Sequence, residues 1–268
     1  MKLFAVLIGL ALANAILPTV SSAATAEEER AARWNDIRTD VFGTKPVRPT
    51  DTLIKLEAPD RALDAAFVPI TLTMPEKDKV AAVYLFIDDN PSPYAAHFTF
   101  GPAADPASIG LRVRVDSYTN IHAVVETKDG ALYETAHYIK AAGGCSAPVG
   151  ASAAEASKGM GEMRLRFAEG AAPEGPVDAT LMIRHPNFSG MQMDVFTKGF
   201  TPARYVKEIE VSAGGQRIFR LDGDISISSD PVIQFRYMPQ GGARDIQVSA
   251  LDSQNGRWQQ SFAPQAKP

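Results

Sequence analysis

From Glu27 to Phe42 the apolar residues Ala31, Trp34, Ile37, Val41 and Phe42 recur at steps of three and four, with Glu28, Arg30, Arg33, Asp36 and Asp40 between them. That spacing predicts an amphipathic helix. Gly43 stops it, and Lys45-Pro46-Val47-Arg48-Pro49 cannot extend it. Leu53 to Glu57 reads as a short strand, and the period then falls to two. Strand patterns follow at Phe67 to Met74, Val80 to Ile87, Ala95 to Phe100, Leu111 to Val115, Ile121 to Thr127 and Ala131 to Ile139. Leu111-Arg-Val-Arg-Val alternates strictly, and Lys128-Asp129-Gly130 supplies a tight turn.

Between Lys140 and Gly159 the composition shifts to Ala, Gly and Ser with almost no large apolar side chain, which predicts a flexible linker. A second strand series runs through Met160 to Phe167, Val177 to Arg184, Gln192 to Phe196, Val206 to Ser212, Gln216 to Leu221, Ile225 to Ser228, Val232 to Tyr237 and Asp245 to Leu251. It ends in Gly256-Arg-Trp-Gln-Gln-Ser-Phe. Gly214-Gly215, Gly241-Gly242 and Asn255-Gly256 mark its hairpins. Many short strands joined by turn residues predict an all-β protein: two immunoglobulin-like β-sandwich domains, with an N-terminal helix before the first. The expected layout is a signal peptide at 1–23, a sandwich at 24–139, the linker at 140–159 and a second sandwich at 160–268.

The signal peptide rests on Lys2, the apolar run Leu3 to Leu17, and the small residues Ser21-Ser22-Ala23-Ala24. The run is short for a membrane span and is broken by Asn14 and Pro18. Export to the periplasm follows, with cleavage near Ala23 and no membrane attachment afterwards. The formal charge of −4 includes Lys2, so the mature chain is more acidic still. No basic block or basic-aromatic stripe occurs, which argues against nucleic acid or an anionic membrane as partner.

Cys145 is the only cysteine among 268 residues. An exported chain with one cysteine cannot close an internal disulfide, so the residue is an intermolecular bridge, an inert buried thiol or a free reactive one. Its setting, Lys140-Ala-Ala-Gly-Gly-Cys-Ser-Ala-Pro-Val-Gly, opposes both helix and sheet and predicts an exposed thiol on a mobile arm. Gly143 and Gly144 keep the backbone slim, Ser146 continues the arm, and Lys140 is the nearest cation in sequence.

The other candidates for chemistry are weaker. His97, His122, His137 and His185 share no metal-ligand spacing, and His122 and His137 fall in strands, where structural roles are the rule. A Cys145–His137 pair would need a rigid cleft that a Gly-Gly-Cys arm does not provide. Asp88-Asp89 sits at a turn and reads as solvated charge. The glycine pairs lack a nucleotide-loop context, so no metal or organic cofactor is expected.

Several segments resemble a known family. Phe67-Val68-Pro69-Ile70-Thr71, Asp89-Asn90-Pro91-Ser92-Pro93, His97-Phe98-Thr99-Phe100, Arg112-Val113-Arg114, Gly130-Ala131-Leu132-Tyr133 and Gly143-Gly144-Cys145 resemble SoxY, the thiol carrier of bacterial sulfur oxidation. Ile183-Arg184-His185-Pro186, Phe200 to Val206, Gly223-Asp224-Ile225-Ser226 and Asp230 to Phe235 resemble SoxZ, its partner. The whole is similar to the fused SoxYZ-like carriers that accompany quinoprotein dehydrogenases.

The resemblance implies a non-enzymatic carrier with a covalent sulfur intermediate on Cys145. Its implied partners are periplasmic redox or sulfur-transforming enzymes, a quinoprotein dehydrogenase system among them. Carriers of the family end in a free Gly-Gly-Cys-Gly-Gly, whereas here Ser146-Ala147-Pro148 and a second unit follow, so the arm is tethered at both ends. Two other classes stay open: a binding or assembly module in which Cys145 has no covalent role, and a cysteine hydrolase or oxidoreductase.

Overall fold

The computed structural model describes residues 25–168, 175–194, 196–239 and 245–263. The proposed signal peptide and the Gly241-Gly242 turn lie outside the described residues. The chain opens with α1 (Ala26–Phe42), whose start is fixed by a capping box. Thr25 Oγ1 accepts from the Glu28 N–H, and the Glu28 carboxylate accepts from the Thr25 N–H.

Eight strands follow: β1 (Val47–Pro49), β2 (Lys55–Glu57), β3 (Val68–Thr73), β4 (Val80–Ile87), β5 (Tyr94–Phe100), β6 (Ala104–Val113), β7 (Thr119–Thr127) and β8 (Leu132–Ile139). After the short helix α2 (Ala153–Ala156) come β9 (Met163–Phe167), β10 (Val177–Ile183), β11 (Val206–Ala213), β12 (Gln216–Gly223), β13 (Val232–Tyr237), β14 (Ile246–Asp252) and β15 (Arg257–Phe262).

The two sandwiches are joined edge to edge in both of their layers. One sheet has nine strands in the order β1-β8-β7-β4-β5-β12-β11-β14-β15, and the other has six in the order β2-β3-β6-β13-β10-β9. At the seam β5 pairs antiparallel with β12, placing Phe98 opposite Leu221, and β6 pairs antiparallel with β13, placing Ile109 opposite Phe235. Each unit thereby covers the sheet edges that the other would leave open.

The core is continuous as well. Val83, Leu85 and Phe98 of the first unit belong to the same buried cluster as Ile209, Phe219 and Phe235 of the second. An edge-on ring contact between Phe98 and Phe219 (5.6 Å) crosses the seam, and Phe219 in turn meets Phe235 within the second unit (5.1 Å). Gly101 and Gly110 permit the close approach there, because a Cβ on Gly101 would strike the Arg217 backbone and one on Gly110 would lie 2.7 Å from Gln234 Oε1.

A smaller cluster forms where α1 covers the outer face of the large sheet. Trp34 is the helix's buried residue, and it packs with Val47, Phe86, Val124 and Leu132. This explains why β4 is buried on both faces.

Val47–Pro49, where the helix cannot continue, forms a strand parallel to β8, because it lies at a sheet edge where Pro49 disrupts no ladder. Other readings of the sequence need correction. Residues 192–194 form no strand, and Ile225–Ser228 contributes only one bridge, from Ile227 to Val113. The linker stretch contains α2, capped by Ser152, whose hydroxyl accepts from the Glu155 N–H. Asp88 is buried against His122 rather than solvated.

Candidate functional site

The segment that follows β8 is bound to the protein, and Cys145 is fully buried. This corrects the expectation of an exposed thiol on a mobile arm. The Gly143 N–H donates to Asp116 O (2.8 Å) and the Gly144 N–H to Val115 O (3.1 Å). The Cys145 N–H donates to Asp116 Oδ1 (3.1 Å). From the second unit, Ser189 Oγ donates to Cys145 O, and Gln192 Nε2 donates to Ala147 O at 3.2 Å. The Gly-Gly-Cys turn is thus clamped between the end of β6 in one unit and the 184–205 loop in the other. Ser146, the next residue, is exposed, so the thiol lies one residue beneath the surface.

The two glycines serve different ends. Gly143 takes φ +75°, a backbone conformation that side chains disfavour, although a Cβ there would meet nothing closer than Ser146 Oγ at 3.8 Å. Gly144 needs the absence of a side chain, since a Cβ would collide with the carbonyl oxygens of Ala65 and Val115.

Electrostatics around the sulfur favour the neutral thiol. Burial pushes the Cys145 pKa up to about 12, the Asp116 charge adds to the rise, and Arg114 works against it. Lys140, the nearest cation in sequence, is not among these influences. Arg114 is. Alternation along Leu111-Arg-Val-Arg-Val sends it to the outer face of its strand, which the pattern equates with solvent. In the folded protein Arg114, just past the end of β6, is instead buried against the second unit. Asp116, Ser189 and Gln192 are likewise invisible to motif reading, because they are polar residues in turns and loops 29, 44 and 45 positions from the groups they hold.

His137, considered as a base for Cys145, instead faces Asp60, with Nε2 3.4 Å from Oδ1. His185 lies in the buried cluster of Asp252, Asn187 and Arg204. Its Nδ1 accepts from the Asn187 N–H (3.0 Å), while Arg204 Nε donates to Asp252 Oδ2 (2.7 Å). These are structural networks that tie the 184–205 loop to β14.

Residues 38–145 match the family Sulfur oxidation protein SoxY, and residues 163–263 match Sulphur oxidation protein SoxZ. The first match ends on Cys145 itself. The chain is a fused SoxYZ-like protein. No curated protein matches it.

Among solved structures it is similar to the sulfur carrier protein SoxY from Chlorobium limicola f thiosulfatophilum, at 29% identity and a TM-score of 0.38. That match covers 43% of this chain and 96% of the other. A putative superoxide reductase from Thermotoga maritima is similar at 15% identity and a TM-score of 0.30, over 35% of this chain and 92% of the other. The SoxY and SoxZ domains indicate a carrier role in sulfur oxidation. Among the described residues no helix is long and apolar enough to cross a membrane.

Proposed function

We propose that the protein is a periplasmic carrier that bears a covalent, thiol-linked sulfur intermediate on Cys145 and presents it to partner enzymes. It has no turnover of its own. The supporting observation is the position of the sole thiol: it ends the SoxY match, on a Gly-Gly turn, one residue beneath the surface. On this reading 1–23 is the removed signal, 24–139 and 160–268 are the two sandwich domains, and 140–159 is the segment that must open. Gly143, Gly144 and Ser146 form the arm around the attachment residue. Resemblance in sequence supports a quinoprotein dehydrogenase system as one source of partners.

Burial of Cys145 demands that the arm leave its clamp. Five hydrogen bonds hold Gly143 to Ala147. At about 1 kcal/mol net for each, opening costs about 5 kcal/mol, which leaves an open population on the order of one molecule in a few thousand. A partner that binds the open form can draw on that population.

The same burial also favours a second reading, in which the protein is a binding or assembly module and the cysteine has no covalent role. Intact-mass analysis of the protein isolated from its own periplasm decides between them. A sulfur-containing adduct on Cys145, together with loss of pathway flux in Cys145→Ser, is expected. An unmodified thiol and full flux in the serine variant would establish the module.

A further inference from the structure

Among the described residues Arg114 is a buried cation without a counter-ion. Its side chain is 2% exposed and reaches across the seam into the SoxZ domain. There Nη1 donates to the carbonyl oxygens of Ile227 (2.7 Å) and Ile225 (3.3 Å), and Nη2 donates to that of Pro186 (3.4 Å). All three acceptors are neutral. Nε is buried with no hydrogen-bond partner, and among the described residues no carboxylate pairs with the guanidinium. Asp116, two residues on, gives its carboxylate to the Cys145 N–H instead.

A charge held this way is unfavourable, because desolvation is not offset by an opposite charge. Burial lowers the Arg114 pKa to about 10, and the one influence in the other direction is negative charge on Cys145. Arg114 also stands beside the arm in the chain's own geometry, because the next two residues hold it: Val115 O accepts from the Gly144 N–H (3.1 Å) and Asp116 Oδ1 from the Cys145 N–H (3.1 Å). Yet the empty residue supplies no such charge, since its thiol stays protonated at neutral pH.

We propose that Arg114 is the anion-binding residue of the closed arm. It receives the negative charge of a group carried on Cys145, the charge that persulfide and S-sulfonate loads share, and holds a loaded arm shut more tightly than an empty one. Nε and the Nη edge present N–H groups suited to ionised sulfur or its oxygens. Arg114 is then a positioning residue that reads the charge state of the load. This inference rests on the carrier reading.

The test uses the full chain and three small adducts, one neutral and two anionic. Methyl methanethiosulfonate converts the Cys145 thiolate to the neutral methyl disulfide and leaves as methanesulfinate. Sulfite then displaces methanethiolate to give the anionic S-sulfonate, and hydrosulfide in its place gives the persulfide. Amide exchange of Gly144 and Cys145 reports opening. In the unsubstituted protein an anionic adduct is expected to exchange about tenfold more slowly than the methyl disulfide, as befits a charge-assisted hydrogen bond formed on closing. Slowing by one anionic adduct alone would identify that load as the one the site accepts.

Arg114→Lys should keep part of the difference and Arg114→Gln should abolish it. Equal or faster exchange in the anionic adducts, or an undiminished difference in a folded Arg114→Gln, would overturn the proposal. The adduct comparison in the unsubstituted protein decides even where the glutamine variant does not fold. Failure of the carrier reading is read separately, by the intact mass of the native protein.

Discussion

At the residue scale, Cys145 shows what a motif conveys and what it omits. Gly-Gly-Cys is legible because a lone thiol flanked by glycines is a compositional anomaly. Its clamp is not, because Asp116, Ser189 and Gln192 come from distant turns and loops. The closed state makes two measurable predictions. Alkylation of Cys145 in the folded protein should run on the order of a thousandfold slower than in the unfolded chain, since it waits on the open population. Gly144→Ala should speed it about ten- to hundredfold, because forcing a methyl against Ala65 O and Val115 O destabilises closure by about 1–3 kcal/mol. Equal rates in folded and unfolded protein would refute the clamp.

The raised thiol pKa also has a direction in pH. Unfolding returns it from about 12 to its ordinary 9.0, so its contribution to stability is complete below about pH 9. It is lost between there and about pH 12 as the unfolded form ionises. Denaturant titrations should show Cys145→Ser losing less stability than the parent protein across that window.

Elements were easier to read than their neighbours. β4, β7 and β8 follow plain apolar patterns, and the period of three and four gave α1 to within one residue at its start. The first seven residues of β6, Ala104 to Gly110, escaped, because Asp105, Pro106 and Ser108 break the alternation on a strand shared between two units. What fixes α1 to the sheet was also hidden. Trp34 stacks on His122 with centroids 3.9 Å apart. His122 Nε2 lies 3.2 Å from Asp88 Oδ2, an ion-pair contact without hydrogen-bond alignment, and Nδ1 lies 3.8 Å from Glu134 Oε2. The neighbouring Asp89 pairs with Arg33 of the helix.

Burial opposes the charged imidazole, but the two carboxylates outweigh it and the His122 pKa rises above 6.5. Its stabilising contribution is therefore fully present below pH 6.5 and is lost as pH rises through the folded-state value. Chemical denaturation from pH 5 to 8 should show this dependence in the parent protein and its absence in His122→Gln. Trp34→Ala should cost about 3–5 kcal/mol at any pH, through the lost ring contacts and the cavity left behind. A neutral Trp34 variant would show that α1 is not anchored there.

On the scale of the whole molecule, a two-domain sequence has produced a structure whose sheets and core run without a break through both domains. Nothing in the alternation of β5, β6, β12 or β13 distinguishes an edge strand from a central one, so the continuity could not be read. Its faint trace is Gly101 and Gly110, which only make sense once another backbone lies against them. Shared sheets make the unfolding of one unit expensive for the other, because each would be left with exposed ladder edges and half of a common core.

Calorimetry should therefore show one cooperative transition, and a cut within 149–159 should leave the two fragments associated. Gly101→Val should destabilise both units together, since its side chain meets the Arg217 backbone, which cannot move aside without disturbing β12. Two well-separated transitions in the intact chain, or fragments that disperse as independently folded monomers after the cut, would mean that the seam is a weak contact. Cys145 would then lose the SoxZ side of its clamp whenever the units parted.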